Sequence, residues 1–407
     1  MRVGIFSESY PPLINGVSTS VQTLTASLEH AGHTVFIFTS RYPHYQDERA
    51  GVFRFPSINS LVEPDYVVPI TFSPRIARAI PALKLDIIHS QSPFFLGLLA
   101  RRVARSFDLP HVATNHTLYT DYAHYLPLPT VAITRRLLVA WMHQFYDTCD
   151  RVIAPSELTR RVLIDKYGVQ TPVTVVPTGI PPPPYVLARP ADVKKELGLP
   201  PDACILLFVG RLAPEKNLDL LLRAFARIMA KTNDTYLILA GSGKSRSLLE
   251  KQARTLGIHR RTRFTGFLGR TKLDPLYQAS DLFLFPSKTE TQGLAVGEAL
   301  AAGVPCVVVN AGGAPESVRD GIDGFLVADD PDALAGRALE LLTNPVLHRR
   351  MTDEAKRGAA SRTPEGVGNR IIAVYDELIA ERRERAGRQS ENGVGEGHAS
   401  NQKGYRE

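Results

Sequence analysis

Two carboxylates flank the predicted start of a helix in the C-terminal half of the chain. Glu290 follows the apolar run DLFLFPS, and Glu298 lies eight residues later, about one turn into the next helix. The free N–H groups near residues 292–294 form a positive helix end that suits a phosphate. Carboxylates beside it can accept hydrogen bonds from sugar hydroxyls. Capping by Thr291 with a solvated Glu298 would give the same pattern.

Two cations follow an earlier strand of the same half. The segment Gly210-Arg-Leu-Ala-Pro-Glu-Lys216 joins an apolar run to a helical stretch. Arg211 could bind a diphosphate through its planar fork, and Lys216 could bind it as a compact charge. Taken alone, two solvated surface cations are the simpler explanation.

Two loops in the N-terminal half carry residues suited to a ligand. Gly16 lets the backbone approach a ligand closely, although a plain turn explains it too. Its loop lacks G-x-G-x-x-G, which argues against a nicotinamide-dependent oxidoreductase. The segment 114–125 follows another strand and is rich in polar and aromatic side chains, which indicates a ligand site. Its candidate residues are His116, Tyr119, Asp121, Tyr122 and His124.

A further surface could contact a membrane. Residues 71–84, taken as a helix, put their apolar side chains on one face between cations, as in helices that lie at a lipid–water interface. The predicted contacts are Phe72, Arg75, Ile76, Arg78 and Ile80, joined by Arg135 and Arg136 from the apolar and basic stretch 126–141. A helix packed on its own domain would show the same apolar face.

The positive charge of the chain is concentrated in its N-terminal half. The 407 residues carry a formal net charge of +7. Residues 70–140 hold eight Lys or Arg against three Asp or Glu, which favours a polyanionic partner. Because no RNP signature or zinc finger accompanies this charge, nucleic acid is not the expected partner.

Several classes of protein are excluded or disfavoured. A run of about 18 apolar residues is absent, which excludes a spanning helix, and no signal-peptide pattern opens the chain. The three widely spaced cysteines fit a reducing cytoplasm. Asp330-Pro-Asp332 is typical of a helix cap rather than a metal site, and Gly241–Ser245 lacks the first glycine of a P-loop.

The elements that must position these residues alternate along the chain. Apolar runs and segments of helical period succeed each other over residues 3–177 and again over 204–309. This predicts an α/β fold with two Rossmann-like, doubly wound domains, joined by the Pro-rich stretch 180–184. We expect domains at 1–178 and 179–363 with strand-end loops facing a cleft. We expect a disordered tail at 387–407.

These motifs together resemble the retaining glycosyltransferases of family 4, whose fold is called GT-B. The resemblance covers about residues 1–380 and includes Asn15-Gly16-Val17, Val176-Pro-Thr-Gly-Ile180 and the E-x(7)-E pair. Within the family, FSESYPPLINGVSTSV, NHTLYTDYAHY and SKTETQGL look most like 1,2-diacylglycerol 3-glucosyltransferases. The resemblance implies that the last helix, about 364–382, crosses back onto the N-terminal domain. It also implies that no metal is required.

The resemblance implies a role for each matching residue. Arg211 and Lys216 hold the diphosphate and stabilise the leaving nucleotide. Glu290 grips donor-sugar hydroxyls, Glu298 binds the ribose, and His116 lies beside the sugar near the reacting carbon. The whole donor-binding set is Gly16, Arg211, Lys216, Glu290, Gln292, Gly293, Leu294 and Glu298. Tyr119, Asp121, Tyr122 and His124 are assigned to the acceptor.

The resulting hypothesis is front-face transfer of glucose from UDP-glucose to diacylglycerol with retention. The enzyme would be cytoplasmic and peripheral on the inner face of the plasma membrane, bound to an anionic lipid surface. One alternative is a GDP-mannose-dependent or other nucleotide-sugar-dependent enzyme that acts on phosphoinositide or polysaccharide acceptors. Another is a non-catalytic sugar-nucleotide-binding protein on the same fold.

Overall fold

The N-terminal half forms a seven-stranded parallel sheet with a small antiparallel ribbon beside it. The computed structural model describes residues 1–60, 66–121, 130–183 and 189–397. The strands are β1 (Arg2–Ser7), β2 (Thr34–Ser40), β3 (Val52–Phe55), β4 (Ser57–Asn59), β5 (Val67–Pro69), β6 (Ile87–Ser90), β7 (His111–Thr114), β8 (Arg151–Ala154) and β9 (Val173–Val175). The sheet order is β3-β2-β1-β6-β7-β8-β9, and β4 pairs with β5 in the ribbon.

The C-terminal half forms a six-stranded parallel sheet. Its strands are β10 (Cys204–Val209), β11 (Thr235–Ala240), β12 (Thr262–Gly266), β13 (Leu282–Phe285), β14 (Cys306–Val309) and β15 (Gly324–Val327). They are ordered β12-β11-β10-β13-β14-β15. In each sheet the chain reverses its direction of travel at the first strand, so a ligand crevice opens beside the carboxyl ends of β1 and β10. The predicted α/β fold with two Rossmann-like domains is confirmed.

Helices cover both sheets, and several of them begin at side-chain caps. Their bounds are α1 (Gly16–His30), α2 (Pro74–Leu83), α3 (Phe95–Ser106), α4 (Val131–Tyr146), α5 (Glu157–Arg161, continued as a π-helical turn to Lys166), α6 (Pro190–Glu196), α7 (Leu218–Met229), α8 (Arg246–Thr255), α9 (Arg270–Gln278), α10 (Leu294–Ala301), α11 (Pro331–Thr343), α12 (Pro345–Ala359) and α13 (Pro364–Gly397). Asn15, Ser73 and Thr130 cap α1, α2 and α4.

Asp330 is also a helix cap. Its carboxylate accepts the Ala333 N–H over 2.8 Å at the start of α11, which is the role its sequence pattern indicates. Within the described ranges, no group of three or more His, Cys, Asp or Glu side chains is placed to hold a metal ion.

The last helix packs on the N-terminal domain. Ile371 and Tyr375 lie in the same buried apolar cluster as Val3 and Ile5 of β1. The Tyr375 hydroxyl also lies 2.5 Å from His89 Nδ1 below the first sheet. The chain therefore returns to the N-terminal domain after completing the second sheet.

The predicted start of the disordered tail, residue 387, falls inside the last helix. Helix α13 continues to Gly397, eleven residues into the segment 387–407, and only 398–407 lie outside the described residues. Ion pairs one turn apart, Glu381 with Arg385 and Glu384 with Arg388, support the helix where apolar packing ends. The Gly- and Ser-rich composition predicts disorder and takes no account of the spacing of these charges.

Helix α2 turns its apolar face to the core, so the prediction that Ile76 and Ile80 contact a membrane is wrong. Ile76 and Ile80 are buried in a cluster with Phe6 and Phe38 of the first sheet. Burial against the sheet removes these side chains from water without a lipid. No helix in the described part of the chain is both long enough and apolar enough to span a bilayer.

Candidate active site

Lys216 and Glu290 meet at the carboxyl end of the C-terminal sheet. Lys216 closes the short 3₁₀ turn Pro214–Lys216 after β10, and Glu290 follows the neighbouring strand β13. Lys216 Nζ donates to Glu290 Oε1 over 2.5 Å, and Ser287 Oγ donates to the same oxygen over 2.8 Å. The two side chains of the pair are 12% and 18% exposed, so they are largely shielded but still reachable. They offer a cation for phosphate and an acceptor for sugar hydroxyls.

Asn217, which no motif in the sequence singled out, fixes the turn that carries Lys216. Its backbone is left-handed, with φ 56°, and its amide donates to Pro286 O over 3.2 Å and to Asp329 Oδ1 over 2.7 Å. Since Pro286 directly follows β13, Asn217 ties the Lys216 turn to the loop that carries Glu290. An asparagine at the end of a turn was the available signal, because asparagine tolerates this conformation.

The N-termini of α1 and α10 approach each other across the crevice. A Cβ built on Gly16 would lie 3.5 Å from Leu294 Cδ1. Gly293 caps α10 with φ 76°, and a Cβ there would come 2.7 Å from the Cβ of Ala314. Position 293 therefore requires glycine for two reasons: its backbone is left-handed, and Ala314 approaches it closely. Two positive helix ends face the space beside Lys216 and Glu290.

His116 reaches the same space from the N-terminal domain. It follows β7, and its Nε2 lies 2.8 Å from Oε1 of Gln91, which follows β6. Burial lowers the pKa of His116 to about 4, so the imidazole is neutral near pH 7. Thr291 Oγ1 donates to the His116 carbonyl over 3.1 Å, which joins the two domains at the site. Gln91 was not predicted, since it is one polar residue at the end of an apolar run.

Glu298 is held from behind by two side chains of α9. Arg270 Nη1 donates to Glu298 Oε1 over 2.7 Å, and the Tyr277 hydroxyl donates to Oε2 over 2.9 Å. Burial, and then the Glu298 carboxylate, raise the pKa of Tyr277 well above its ordinary value, so it remains a donor. Arg270 and Tyr277 are seven residues apart and share a helix face, which was the signal in the sequence.

Arg211 and Lys216 lie at opposite ends of one loop. Arg211 directly follows Gly210 at the end of β10, and its Nη2 donates to Glu215 Oε1 over 2.6 Å. The Arg211 side chain is 42% exposed, whereas that of Glu215 is 5% exposed. Glu215 therefore orients a guanidinium that remains partly exposed.

The Gln292 side chain does not face a donor. Its Oε1 accepts the Thr178 N–H over 2.8 Å, and its Nε2 donates to the Thr178 carbonyl over 3.0 Å. This two-point contact binds the loop before α10 to the segment that leaves the N-terminal domain. The prediction of donor binding is therefore limited to the main chain of Gln292, because both side-chain groups already have partners.

The predicted acceptor residues are described only in part. The Tyr119 ring packs edge-on against Phe94 with centroids 5.0 Å apart, and burial raises the pKa of Tyr119 well above its ordinary value. Asp121 Oδ1 lies 3.8 Å from Lys166 Nζ. Tyr122 and His124 lie outside the described residues.

The predicted membrane residues other than Ile76 and Ile80 are at the surface. Phe72 is 78% exposed just before α2, where Arg75 and Arg78 are exposed as well. Arg135 and Arg136 are exposed on the first turns of α4.

Comparison with known proteins places the chain in a family. The model "Glycosyl transferases group 1" matches residues 191–358, and "Glycosyltransferase Family 4" matches residues 14–182. The chain is a family 4 glycosyltransferase. This confirms the resemblance inferred from the motifs, and the two matches meet in the stretch between the two sheets.

The names of its relatives indicate different substrates. This glycosyltransferase is 32% identical to the alpha-monoglucosyldiacylglycerol synthase of Streptococcus pneumoniae, over 93% of this chain and 86% of that protein. It is 29% identical to the GDP-mannose-dependent alpha-mannosyltransferase of Corynebacterium glutamicum, over 93% and 90%. Sucrose-phosphate synthase from Thermosynechococcus elongatus has the same GT-B fold, with a TM-score of 0.75 at 21% identity, over 93% and 99% of the two chains.

Proposed function

We propose that this glycosyltransferase moves glucose from UDP-glucose to diacylglycerol and retains the configuration at the anomeric carbon. The observation that carries the proposal is the Lys216–Glu290 pair beside the N-terminus of α10. The pair brings together a cation that can bind the diphosphate, Lys216, and a carboxylate that can bind the sugar, Glu290. The choice of glucose and diacylglycerol is supported by the named activity of the relative at 32% identity.

Lys216 and Arg211 supply positive charge to the departing diphosphate. Cleavage of a sugar–phosphate bond concentrates negative charge on the phosphate oxygens, and fixed positive groups aimed at that charge give the largest rate gain. Lys216 is held by Glu290 and Arg211 by Glu215, so both cations are positioned before the donor arrives. The N–H groups at the start of α10 add a third positive element. We expect no metal to be required.

Glu290 and His116 contact the sugar of the donor in this proposal. Glu290 keeps lone pairs beyond those used by Lys216 and Ser287, and these accept sugar hydroxyls. In the transfer step the bond from the anomeric carbon to phosphate oxygen breaks while the acceptor oxygen bonds to that carbon on the same face. The acceptor's proton passes to the departing phosphate oxygen. We assign Glu290 to binding rather than to a covalent intermediate, since transfer on the same face needs no nucleophile from the enzyme.

The first turns of α4 offer a surface for the lipid that carries the acceptor. Ile133 and Leu137 are 51% and 57% exposed there, beside the exposed Arg135 and Arg136. Apolar side chains next to cations suit insertion at the surface of an anionic bilayer. The enzyme would then be a peripheral protein on the inner face of the plasma membrane.

A second candidate function is transfer of mannose from GDP-mannose to a phosphoinositide or polysaccharide acceptor. The GDP-mannose-dependent relative, which is 29% identical over most of both chains, favours it. The chemistry at Lys216, Glu290 and His116 would be the same, and the choice between the two donors depends on contacts to the base and the sugar.

A conservative variant tests the site. Glu290→Gln keeps the size of the side chain but removes the charge that holds Lys216, and we expect a loss of transfer of at least about a hundredfold. Glu196→Gln is the control, because Glu196 is an exposed carboxylate on α6 that pairs with Lys272. Transfer by Glu290→Gln within twofold of the unaltered enzyme would overturn the assignment of this site.

A further inference from the structure

A polar cavity opens beside the N-terminal sheet, apart from the residues of the transfer site. Its volume is about 790 Å³, and it lies between the loop that follows β2 and the β4–β5 ribbon. Its lining residues are Arg41, Tyr42, Pro43, His44, Tyr45, Gln46, Ser57, Asn59 and Val67. Most of them carry hydroxyl, amide or cationic groups, and none carries a carboxylate.

The wall of this cavity is held in place by Arg54. The Arg54 guanidinium donates to both oxygens of Asp47 over 2.7 Å, and to the carbonyls of Ser40 and Pro11 over 2.6 Å. Its Cζ also lies 4.9 Å from the centre of the Tyr45 ring. The Arg54 side chain is only 9% exposed, so its network fixes both ends of the loop 41–47.

Arg41 and His44 of the lining present their side chains to a ligand. The Arg41 backbone N–H donates to Phe55 O over 2.9 Å, but its guanidinium has no hydrogen bond or ion pair with a described residue. His44 is exposed and has a left-handed backbone, with φ 57°, which is uncommon for a non-glycine residue. The nearby carboxylate of Asp47 is fully engaged by Arg54.

We propose that this cavity binds a phosphorylated polyol. Arg41 would bind the phosphate through its planar fork, with His44 beside it. The amides of Gln46 and Asn59 and the Ser57 hydroxyl would bind the polyol hydroxyls, and the Tyr45 ring would provide an apolar face. The same chemistry is present in a free polyol phosphate and in the headgroup of a phospholipid such as phosphatidylglycerol.

The cavity borders the crevice without sharing its residues. Arg54 contacts Pro11, and Tyr66, which precedes β5, accepts a hydrogen bond from Asn15 Nδ2 over 3.1 Å. Asn15 caps α1, whose first residue is Gly16. A ligand in the cavity would therefore sit beside the loop that leads to the transfer site. The proposal goes beyond the transfer reaction, because binding needs neither donor nor turnover.

Calorimetric titration of the full chain with glycerol phosphate and with inorganic phosphate tests this site. Arg41→Gln removes the phosphate ligand, and His44→Gly removes the imidazole but keeps the left-handed backbone. Arg349→Gln is the control, since Arg349 is an exposed arginine on α12 of the other domain. We expect saturable binding of glycerol phosphate that Arg41→Gln weakens at least about tenfold and Arg349→Gln leaves unchanged.

Sedimentation with phosphatidylcholine vesicles, with and without phosphatidylglycerol, identifies the source of the ligand. A loss in Arg41→Gln of glycerol phosphate binding supports the free compound. A loss confined to the phosphatidylglycerol-dependent part of vesicle binding supports the lipid headgroup. If no binding in either assay depends on Arg41, the proposal is overturned, and equal affinity for inorganic phosphate would overturn the polyol part. Because no donor is present, these results are independent of transfer.

Discussion

His116 is held as a neutral imidazole against the side chain of Gln91. Gln91 is 2% exposed, and its Oε1 lies 2.8 Å from His116 Nε2, so the tautomer protonated at Nε2 can donate to it. In that tautomer Nδ1 carries the lone pair. In the site that we propose, a neutral acceptor beside the sugar avoids placing a cation next to the positive charge that develops at the anomeric carbon. Gln91 is thus a positioning residue for His116.

Gln91→Glu should change the charge of His116. A buried carboxylate next to the imidazole favours its protonated form, so the pKa of His116 should rise from about 4 into the neutral range. Transfer should then be reduced at low pH and should recover as pH rises through the new pKa. Nitrogen-15 NMR of the imidazole and the pH profile of transfer measure this.

The control for that change is Gln170→Glu, which adds the same charge at an exposed position. It should leave the His116 pKa unchanged. A His116 pKa near 4 in Gln91→Glu itself would show that Gln91 does not control the imidazole.

Tyr277→Phe should weaken donor binding without slowing the chemical step. The change removes one of the two groups that hold Glu298, which we assign to the ribose. Loss of a hydrogen bond of about 1 kcal/mol corresponds to a rise of about fivefold in KM for the donor. Tyr236→Phe is the matched control on β11. Steady-state kinetics would contradict this role if kcat fell while KM stayed constant.

At the scale of elements, the start of α10 depends on one glycine. Gly293→Ala would force a side chain into a left-handed backbone and against Ala314, with a Cβ–Cβ separation of 2.7 Å before relaxation. We expect the free energy of unfolding to fall by about 1–3 kcal/mol and transfer to fall more than the folded fraction does. Urea denaturation and transfer assays measure the two effects.

Gly336→Ala provides the comparison within the same domain. Gly336 lies inside α11 with no atom within 4 Å of an added Cβ. Alanine there should stabilise the enzyme by about 0.5–1 kcal/mol. Equal stability of Gly293→Ala and the unaltered enzyme would contradict the close approach of Gly293 to Ala314 at the start of α10.

Helix α4 should mediate binding to anionic vesicles. Replacing Ile133 and Leu137 with serine removes exposed apolar surface from its first turns. Vesicle sedimentation at low salt should show the bound fraction reduced severalfold, because both apolar insertion and arginine contacts are needed. Val346→Ser is the control, since Val346 is 79% exposed on α12 of the other domain. Unchanged binding by the α4 variant would contradict this role.

The sequence predicted the positions of strands and helices better than it predicted what the apolar faces of the helices contact. Alternating apolar runs and helical periods identified both parallel sheets, because buried parallel strands are continuously apolar. For α2, an apolar face flanked by arginines fits a membrane and a core equally, and only the neighbouring Phe6 and Phe38 decide it. For α13, ion pairs one turn apart, Glu381 with Arg385 and Glu384 with Arg388, precede the glycine-rich stretch and have the spacing of a helix.

At the scale of the whole molecule, hydrogen bonds join the two domains around the site. Thr291 contacts the backbone of His116, and Gln292 contacts that of Thr178. The Glu316 carboxylate accepts the backbone N–H groups of Glu157 and Leu158 over 2.7 Å at the start of α5. The loop before α10 is therefore joined directly to the N-terminal domain.

These long-range contacts account for what the sequence did not reveal about the site. Motif spacing identified Lys216 and Glu290, because each follows its own strand at the same edge of the sheet. It did not identify Gln91 or the hydrogen bonds between Gln292 and Thr178, because these contacts join segments that are distant in the sequence. The sequence around a single polar residue at the end of a strand does not indicate which distant residue will contact it.

The most direct test is a transfer assay with UDP-glucose and GDP-mannose, each offered with diacylglycerol in mixed anionic vesicles. The lipid product is isolated, and its anomeric configuration is read by NMR. We predict an α-linked glucolipid formed from UDP-glucose, with little product from GDP-mannose. A β-linked product would contradict retention, and a mannolipid formed in preference to a glucolipid would contradict the donor. The absence of both product and donor hydrolysis would contradict the transfer site itself.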